Sequence, residues 1–377
     1  MQKNILLKNG IVLDPVFGKK QQRDIYIQDG KIVARKKFKG ADVAVDVKGC
    51  LVMPGLIDFH SHVFHSGTEI GIDPDLSLIP QGVTTTVDAG SAGTANAECF
   101  LKNIVSQSKM RIKAFLNVCP SGLATMKYHE NVDPQYWDES KLQKLLAEHK
   151  DILLGLKVRI SKEIVGYLGI DVLIKAVALA ERLKTRLVVH VTDPPEGMGR
   201  IAELLRPGDV LAHCYHGTGQ TVMDAAGKVL PKVREAQQRG VIMDAANGGN
   251  HWSFKVAERA LAEGFAPDII STDLTGKTLF QDPVFSLPYI MSKYLLLGMD
   301  LLDVVARCTS IPAQILEMDK QLGSLQEGFD ADIAVFKLCD KYMCFTDTQK
   351  ETRIGKTVLV PQMTIAGGEI LYRNIAL

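Results

Sequence analysis

The chain has 377 residues, of which 46% are hydrophobic and 23% are charged, and its formal net charge is +1. This length exceeds one small domain and suits a barrel of roughly 250 residues with an added module. The balanced charge argues against a nucleic-acid-binding surface, and no apolar run approaches the roughly 18 residues of a membrane-spanning helix, so we expect neither a nucleic acid nor a membrane partner.

Both ends of the chain carry short apolar runs separated by turn residues. Asn9-Gly10 and Asp29-Gly30 are hairpin dipeptides flanked by apolar residues, and Gly367-Gly368 is a turn candidate near the other end. The runs that we expect to be strands are 5–7, 11–13, 25–27, 32–34, 332–336, 358–360 and 370–372. We therefore predict one small β-sandwich domain assembled from residues 1–50 and 325–377.

Between these ends, residues 51–324 alternate short apolar strands with segments of helical periodicity. The clearest helix is 171–184, and a second at 253–263 is predicted to begin with Ser253 as its N-cap. The predicted strands lie near 52–60, 83–88, 112–118, 152–158, 186–191, 210–214, 241–245 and 269–273. Parallel strands with crossover helices close most simply as a (β/α)₈ TIM barrel, an α/β fold. The alternative is an open doubly wound sheet, which the absence of a GxGxxG motif after the first strand disfavours.

Cysteine usage predicts a reducing compartment. The seven cysteines are scattered, form no CxxC pair and are odd in number, unlike the disulfide framework of a small secreted protein. The apolar run at the start of the chain is too short for a signal peptide. We therefore expect a cytoplasmic protein.

The candidate site consists of polar residues at the carboxyl ends of the predicted strands, where the active sites of TIM barrels lie. The first strand ends in His60-Ser61-His62. Residues two apart in a strand face the same side, so the two histidines could bind one metal ion. The alternative is a pair of surface or core histidines with ordinary hydrogen-bond partners.

Four more strand ends carry ionisable residues. Lys157 is unusual because a lysine inside an apolar strand is unfavourable unless it is paired or modified. It could extend to solvent, or CO₂ could convert it to a carbamate whose two oxygens bridge two metal ions. Strands 5, 6 and 8 end in His190, His213 and Asp273. Each alone is more typical of a hydrogen-bonded or capping residue, but together these side chains could hold two divalent ions.

This constellation resembles the amidohydrolase superfamily, in the binuclear subtype with a carboxylated lysine that includes dihydroorotases, hydantoinases and deacetylases. Residues 55–62 are similar to the family's opening motif, 82–90 to its second strand and 328–333 to its return to the sandwich. The resemblance covers nearly the whole chain. It implies a metal-dependent hydrolase of small molecules, and by analogy with the relatives a homo-oligomer.

The resemblance also assigns a role to each strand-end residue. It implies two divalent metal ions, usually zinc, held by His60, His62, Lys157, His190, His213 and Asp273. Lys157 would be the bridging carbamate, and Asp273 would also be the catalytic proton shuttle. A hydroxide bridging the ions would attack a carbonyl carbon, and Asp273 would pass its proton to the leaving group.

The substrate class is narrowed by departures from the family's subgroups. Dihydroorotases usually extend the first motif to HxHxR, whose arginine holds the substrate carboxylate, but Phe64 stands at that position. Mononuclear deaminases usually lack the lysine on strand 4, which is present here. We therefore predict a deacetylase or esterase acting on a small, carboxylate-bearing acyl compound, with a cyclic amidase as the alternative. A deaminase and a non-enzymatic scaffold are less favoured.

Five residues are candidates for binding the substrate. Arg159 follows the lysine of strand 4 by two residues and so faces the same side. It could pair bidentately with a carboxylate, or form an ion pair at the barrel rim. The loops after strands 6 and 7 add Tyr215, His216, Asn247 and Gly248, which could equally be spectators.

Overall fold

The computed structural model describes residues 3–375 and 377. Its central element is a parallel sheet of seven strands that lie side by side in chain order. These strands are Leu56–Ser61, Val83–Gly93, Arg111–Asn117, Leu153–Arg159, Arg186–His190, Val210–Ala212 and Ile242–Asp244. Most of their residues are buried, as expected of parallel strands whose outer face is covered by helices.

Segment 269–273 closes the sheet into a barrel, although the prediction of a regular eighth strand there is wrong. Single parallel bridges join this part of the chain to the last and first strands, at Ile269–Asp244 and Leu274–Ser61. The Asp58 carboxylate accepts hydrogen bonds from Thr272 N (3.1 Å) and Thr272 Oγ1 (2.6 Å). Side-chain hydrogen bonds therefore replace part of the regular backbone ladder.

Helices cover the outside of the barrel. The α-helices are Pro74–Leu78, Ala97–Phe100, Glu139–Glu148, Lys162–Val165, Asp171–Arg182, Met198–Leu204, Pro231–Gln238, Phe254–Ala262, Leu287–Leu296, Leu301–Ala306 and Ser310–Ile315. Short 3₁₀ turns lie at Arg35–Lys37, Ile79–Gln81, Pro134–Tyr136 and Gly166–Leu168, with a π-helical turn at Leu101–Val105. The helix predicted at 171–184 is confirmed. Within residues 3–375 and 377, none of the helices combines the length and apolar character needed to cross a membrane.

The helix predicted at 253–263 is also present, and Ser253 lies at its N-cap position as predicted. The Ser253 side chain makes no capping hydrogen bond, and its buried Oγ has no partner among the described residues. The Asp347 carboxylate instead accepts a hydrogen bond of 2.8 Å from Phe254 N. A residue almost a hundred positions away therefore caps this helix.

Two further sheets are built from the ends of the chain, the first from N-terminal strands alone and the second from strands of both ends. In spatial order, the first consists of Lys31–Val33, Ile25–Gln28, Ile5–Lys8 and Val43–Asp46. The second consists of Glu369–Arg373, Thr352–Ala366, Ile333–Thr346, Leu51–Pro54, Ile11–Asp14 and Lys19–Gln22. A shared apolar core, with Ile27 from one sheet and Ile333 from the other, packs them as a sandwich. The predicted fold class is confirmed, and the exact domain bounds stay a prediction.

Two of the three turns that the sequence predicts near the chain ends are confirmed. Asp29-Gly30 and Gly367-Gly368 connect paired antiparallel strands, and all four residues have positive φ. The predicted hairpin at Asn9-Gly10 is wrong, because the strands on either side join different sheets. A Cβ on Gly10 would lie 2.6 Å from Val52 Cγ2, so this glycine permits a close crossing between the sheets.

The single strand predicted at 52–60 is in fact two strands, separated at Gly55. Leu51–Pro54 belongs to the sandwich, and Leu56–Ser61 is the first barrel strand. A Cβ on Gly55 would lie 2.2 Å from Thr84 Oγ1, so the chain passes close to the second barrel strand at this point. This break sets the direction of the strand that carries the two histidines of the HxH motif.

Candidate active site

The first group of possible metal ligands consists of His60, His62 and Asp273, all buried. Their ligand atoms lie within 4.8 Å of one another. The Asp273 Oδ1 atom is 3.1 Å from His62 Nε2 and 3.6 Å from His60 Nε2. The alternation of side chains along the first barrel strand places both imidazoles on one side, as the sequence predicts.

The second ring nitrogen of each histidine in this group is held by an outer partner. His60 Nδ1 lies 3.0 Å from Asp244 Oδ2. His62 Nδ1 lies 2.8 Å from Ser91 Oγ, which in turn donates to Asp88 Oδ2 at 2.7 Å. Such contacts fix the ring orientation and leave Nε2 to face a metal.

The second group consists of His190, His213 and His251. His190 Nδ1 and His213 Nε2 are 2.8 Å apart. His213 Nδ1 lies 2.7 Å from the carbonyl oxygen of Ala246, which can only accept, so Nδ1 carries the proton and Nε2 presents a lone pair. The two groups adjoin, since the His60 and His213 ring centroids are 5.1 Å apart.

Lys157 is buried beside the first group. Its Nζ lies 3.5 Å from His60 Nε2. Burial lowers the pKa of Lys157 to about 8, because desolvation penalises the ammonium form. A Cβ on Gly90 would lie 2.6 Å from the Cβ and Cγ atoms of Lys157, so the glycine provides the space for this side chain.

The charge states of the two groups suit a cation. Burial, followed by neighbouring imidazoles, lowers the pKa of His190 and His213 well below the usual range, so both rings are neutral. Burial raises the pKa of Asp273, but the hydrogen bond with His62 and the nearby imidazoles together lower it, so this carboxyl group is ionised. Neutral imidazoles and a carboxylate form a donor set that divalent metal ions accept.

The two groups lie at the base of a cavity of about 370 Å³. This volume suits a small-molecule ligand. The cavity is lined by His62, Ile70, Ala89, Asn117, Leu123, Met126, Glu130, Lys157, Arg159, His190, Gly249, Asn250, His251, Asp273, Thr275, Lys277, Thr278, Asp282 and Pro283.

Of the five substrate-binding candidates, only Arg159 lines this cavity. Gly248 lies beside it, since a Cβ there would come within 2.4 Å of the Asp273 carboxylate. Asn247 is buried and its side-chain amide contacts the carbonyl of Ser271. The remaining two candidates are enclosed away from the cavity: Tyr215 donates a hydrogen bond to Phe265 O, and His216 is fully buried.

Several residues of the site were not predicted. Asp244 ends the seventh strand. Asp88 ends the second strand as the sequence predicts it, at 83–88, although the strand continues to Gly93 in the structure. The strand-end argument could therefore have found both residues. Glu130 and His251 lie in loops, where no periodicity or strand end marks them. Their proximity to the site depends on how the loops fold over the barrel.

The geometry agrees with comparisons to known proteins. The family model for the Amidohydrolase family matches residues 51–371. A deacetylase of Agrobacterium fabrum is 37% identical over 381 residues, covering 98% of this chain and 92% of that protein. A solved dihydroorotase structure has 35% identity and a TM-score of 0.90, covering 99% of this chain and 98% of its own. A solved adenine deaminase structure has 30% identity and the same TM-score, covering 99% and 100%.

These similar proteins carry three different activity names but share one fold and one superfamily. The family match extends over most of the chain and includes every predicted metal ligand. The chain is therefore a hydrolase, and it belongs to the amidohydrolase family.

Proposed function

We propose that this hydrolase depends on two divalent metal ions and cleaves the amide or ester bond of a small, carboxylate-bearing acyl compound, as a deacetylase does. The observation that carries this proposal is the pair of adjoining ligand groups, with Lys157 in contact with His60, at the base of a small cavity. The similarity to a deacetylase over nearly the whole chain supports the type of reaction.

The residues fit a binuclear site. His60, His62 and Asp273 would hold one ion, and His190 and His213 would hold the other. Lys157, as a carbamate, would supply oxygen ligands in place of an ammonium group. Divalent ions in such a site acidify water and polarise a carbonyl group, which is the chemistry that hydrolysis needs.

The protein itself would move the proton through Asp273. Its Oδ1 atom faces the histidines of the first strand, while Oδ2 lies on the side of Gly248 and of His251, whose Nε2 is 3.8 Å away. We therefore assign to Oδ2 the role of accepting a proton from the attacking water. The same atom would return the proton to the leaving amine or alkoxide.

The alternative function is that of a cyclic amidase. The residue at the motif position where dihydroorotases carry an arginine does not favour it. Phe64 is fully buried there and packs against Phe100, with ring centroids 5.2 Å apart. Position 64 therefore belongs to the core rather than to the cavity wall. A substrate carboxylate would have to be bound by another residue, for which Arg159 is the candidate.

Four finer expectations remain predictions. We expect zinc as the metal, a CO₂-derived carbamate on Lys157, a homo-oligomeric assembly and a cytoplasmic location. The identity of the bound metal depends on which metal is available as much as on the ligands, since imidazole also suits iron and manganese.

The test is an assay of the metal-quantified protein against N-acetyl amino acids of both hands, O-acetyl 2-hydroxy acids, hydantoin, dihydropyrimidine, dihydroorotate and adenine. Lys157→Ala is the site variant, and Lys144→Ala, on an exposed helix surface, is the matched control. We expect hydrolysis of the open-chain acyl compounds that is abolished only by Lys157→Ala. Turnover confined to the ring compounds would contradict the deacetylase proposal.

A further inference from the structure

Arg159 is a largely enclosed cation on the wall of the cavity, with 12% of its side chain exposed. Within the described part of the chain, its guanidinium makes one hydrogen bond, from Nη1 to Glu130 Oε2 at 2.7 Å. Its Nε is buried and has no partner there. A buried guanidinium is normally hydrogen-bonded through more of its five donors. Arg159 therefore has donor capacity that the protein does not use.

The acidic partner of Arg159 is Glu130, whose hydrogen-bonding capacity is used within the protein. Only 3% of its side chain is exposed, and both carboxylate oxygens are occupied. Oε2 accepts from Arg159, and Oε1 accepts from Asn117 Nδ2 at 3.0 Å. Asn117 is itself fixed, since Nδ2 also contacts the carbonyl of Gly90 and Oδ1 accepts from Cys119 N. Glu130 is therefore anchored to the end of the third barrel strand.

We propose that Glu130 is a positioning residue, which holds the guanidinium of Arg159 so that its remaining donors bind the carboxylate of the substrate. This inference rests on the proposed function and deepens it. With both oxygens engaged, Glu130 has little capacity to bind a ligand itself. Arg159 is the more exposed member of the pair, so the cavity presents the cation rather than the anion.

The position of Arg159 also limits the shape of the substrate. Arg159 pairs in register with His190 on the neighbouring parallel strand, and His190 is a ligand of the proposed second ion. Adjacent strands lie about 4.8 Å apart. The carboxylate site therefore adjoins the site of bond cleavage. This favours 2-acylamino and 2-acyloxy acids, in which the carboxylate is close to the scissile bond.

The kinetic test compares a carboxylate substrate with its neutral counterpart, O-acetyllactate with O-acetyllactamide. The variants are Glu130→Gln, Arg159→Gln and the double variant. A glutamine at position 130 offers one acceptor oxygen instead of two, so it cannot bind both Asn117 and Arg159. Glu139→Gln is the matched control, because Glu139 forms an ion pair with Arg182 (2.7 Å) away from the cavity.

We expect Glu130→Gln to raise the KM for O-acetyllactate by about 10-fold to 100-fold, the usual effect of losing a charge-assisted hydrogen bond. The KM for O-acetyllactamide should change little. In the Arg159→Gln background the effect of Glu130→Gln should vanish. Equal losses for both substrates would show a merely structural role, and a lower KM for O-acetyllactate would show that Glu130 repels the anion. Either result would overturn the proposal.

A binding measurement keeps this inference separate from the proposed function. Calorimetric titration with lactate and with lactamide requires no turnover. We expect tighter binding of lactate, a preference reduced by Glu130→Gln and abolished by Arg159→Gln. Absence of that preference in the unmodified protein would overturn the inference even if acyl compounds are hydrolysed. If lactate binds more tightly than lactamide but no acyl compound is hydrolysed, only the proposed function is overturned.

Discussion

At the scale of single residues, two of the proposed metal ligands have unusual backbone conformations. His213 has φ 63° and Asp273 has φ 53°, in the left-handed region that non-glycine residues rarely adopt. Neighbouring contacts hold both residues in place, since Asp273 N donates to His60 O at 2.7 Å and the His213 ring is fixed by Ala246 O. Such conformations cost about 1–3 kcal/mol and are concentrated at functional sites.

The proposed role of Asp273 as proton acceptor predicts the effect of Asp273→Asn. Asparagine has a similar shape and can still contact a metal through its carbonyl oxygen, but it cannot accept a proton at neutral pH. We expect much of the metal to remain bound while kcat falls by about two to four orders of magnitude. The measurement is kcat on the best acyl substrate together with elemental analysis, and near-normal turnover would refute the assigned role.

The fit between Gly90 and Lys157 predicts the effect of Gly90→Ala. Gly90 has φ 85°, and a Cβ there would meet Lys157 at 2.6 Å. We expect stability to fall by about 1–3 kcal/mol and metal content to fall as well, because Lys157 must shift. Gly208→Ala is the control, since Gly208 has φ 87° but nothing lies within 4 Å of its added Cβ. If Gly90→Ala and Gly208→Ala both retained their metal, the space that Gly90 leaves for Lys157 would not be required for metal binding.

The residues proposed as metal ligands could be related to one another from the sequence because a barrel brings the ends of its strands to one face. His60 and Asp273 are more than 200 residues apart, yet their positions at strand ends were sufficient to relate them. Glu130 could not be found in this way, because its contacts with Arg159 and Asn117 depend on a loop conformation. The same reason explains why Tyr215 lies in the core instead of the cavity.

Among the secondary-structure elements, periodicity predicted where strands and helices lie. It predicted less well which other segments they pair with. Segment 269–273 has the apolar pattern of a strand, but Thr272 bonds to the Asp58 side chain and only isolated bridges form. Asn9-Gly10 has the sequence of a hairpin turn, but the chain crosses between two sheets there. Local sequence does not specify which distant segment a strand will pair with.

The capping of helix Phe254–Ala262 gives a prediction at this scale. Asp347→Ala should destabilise the protein by about 1–2 kcal/mol, because it removes the acceptor for Phe254 N. Ser253→Ala should have a much smaller effect, because Ser253 Oγ makes no capping bond. Urea denaturation of both variants tests the difference. A larger loss for Ser253→Ala would show that the capping assignment is wrong.

A buried lysine in helix Leu287–Leu296 gives a pH-dependent prediction. Lys293 Nζ donates a hydrogen bond to Pro283 O at 2.6 Å. The same nitrogen lies over the aromatic ring of Trp252. Burial lowers its pKa to about 7, although Asp282 and Asp347 raise it in part. In the unfolded chain the pKa is near its ordinary value of 10.5, so above pH 7 the unfolded state binds more protons than the folded state.

The stability contributed through Lys293 should therefore increase as the pH rises from 7 towards 9. Relative to Lys293→Met, the free energy of unfolding should increase by about 1 kcal/mol per pH unit in this range. Urea denaturation of both proteins at several pH values measures the difference. A difference that is constant or falls with pH would contradict the lowered pKa.

At the scale of the whole molecule, the alternation of strands and helices between β-rich ends was enough to predict the fold class. The two parts are joined by side chains that the pattern did not reveal. Arg111, on the third barrel strand, pairs with Asp332 at 2.8 Å and with Asp330 at 3.0 Å, at the point where the chain returns to the sandwich. The barrel and the sandwich therefore share an ionic contact as well as an apolar interface.

We propose that this barrel holds two metal ions, which its hydrolytic activity requires. The most direct test is elemental analysis of the purified, dialysed protein, with activity measured before and after chelation and after metal addition. We predict about two divalent ions per chain, with activity lost on chelation and restored by metal. A protein that hydrolyses acyl compounds with no bound metal, or whose activity is unaffected by chelation, would show that the activity does not depend on metal ions.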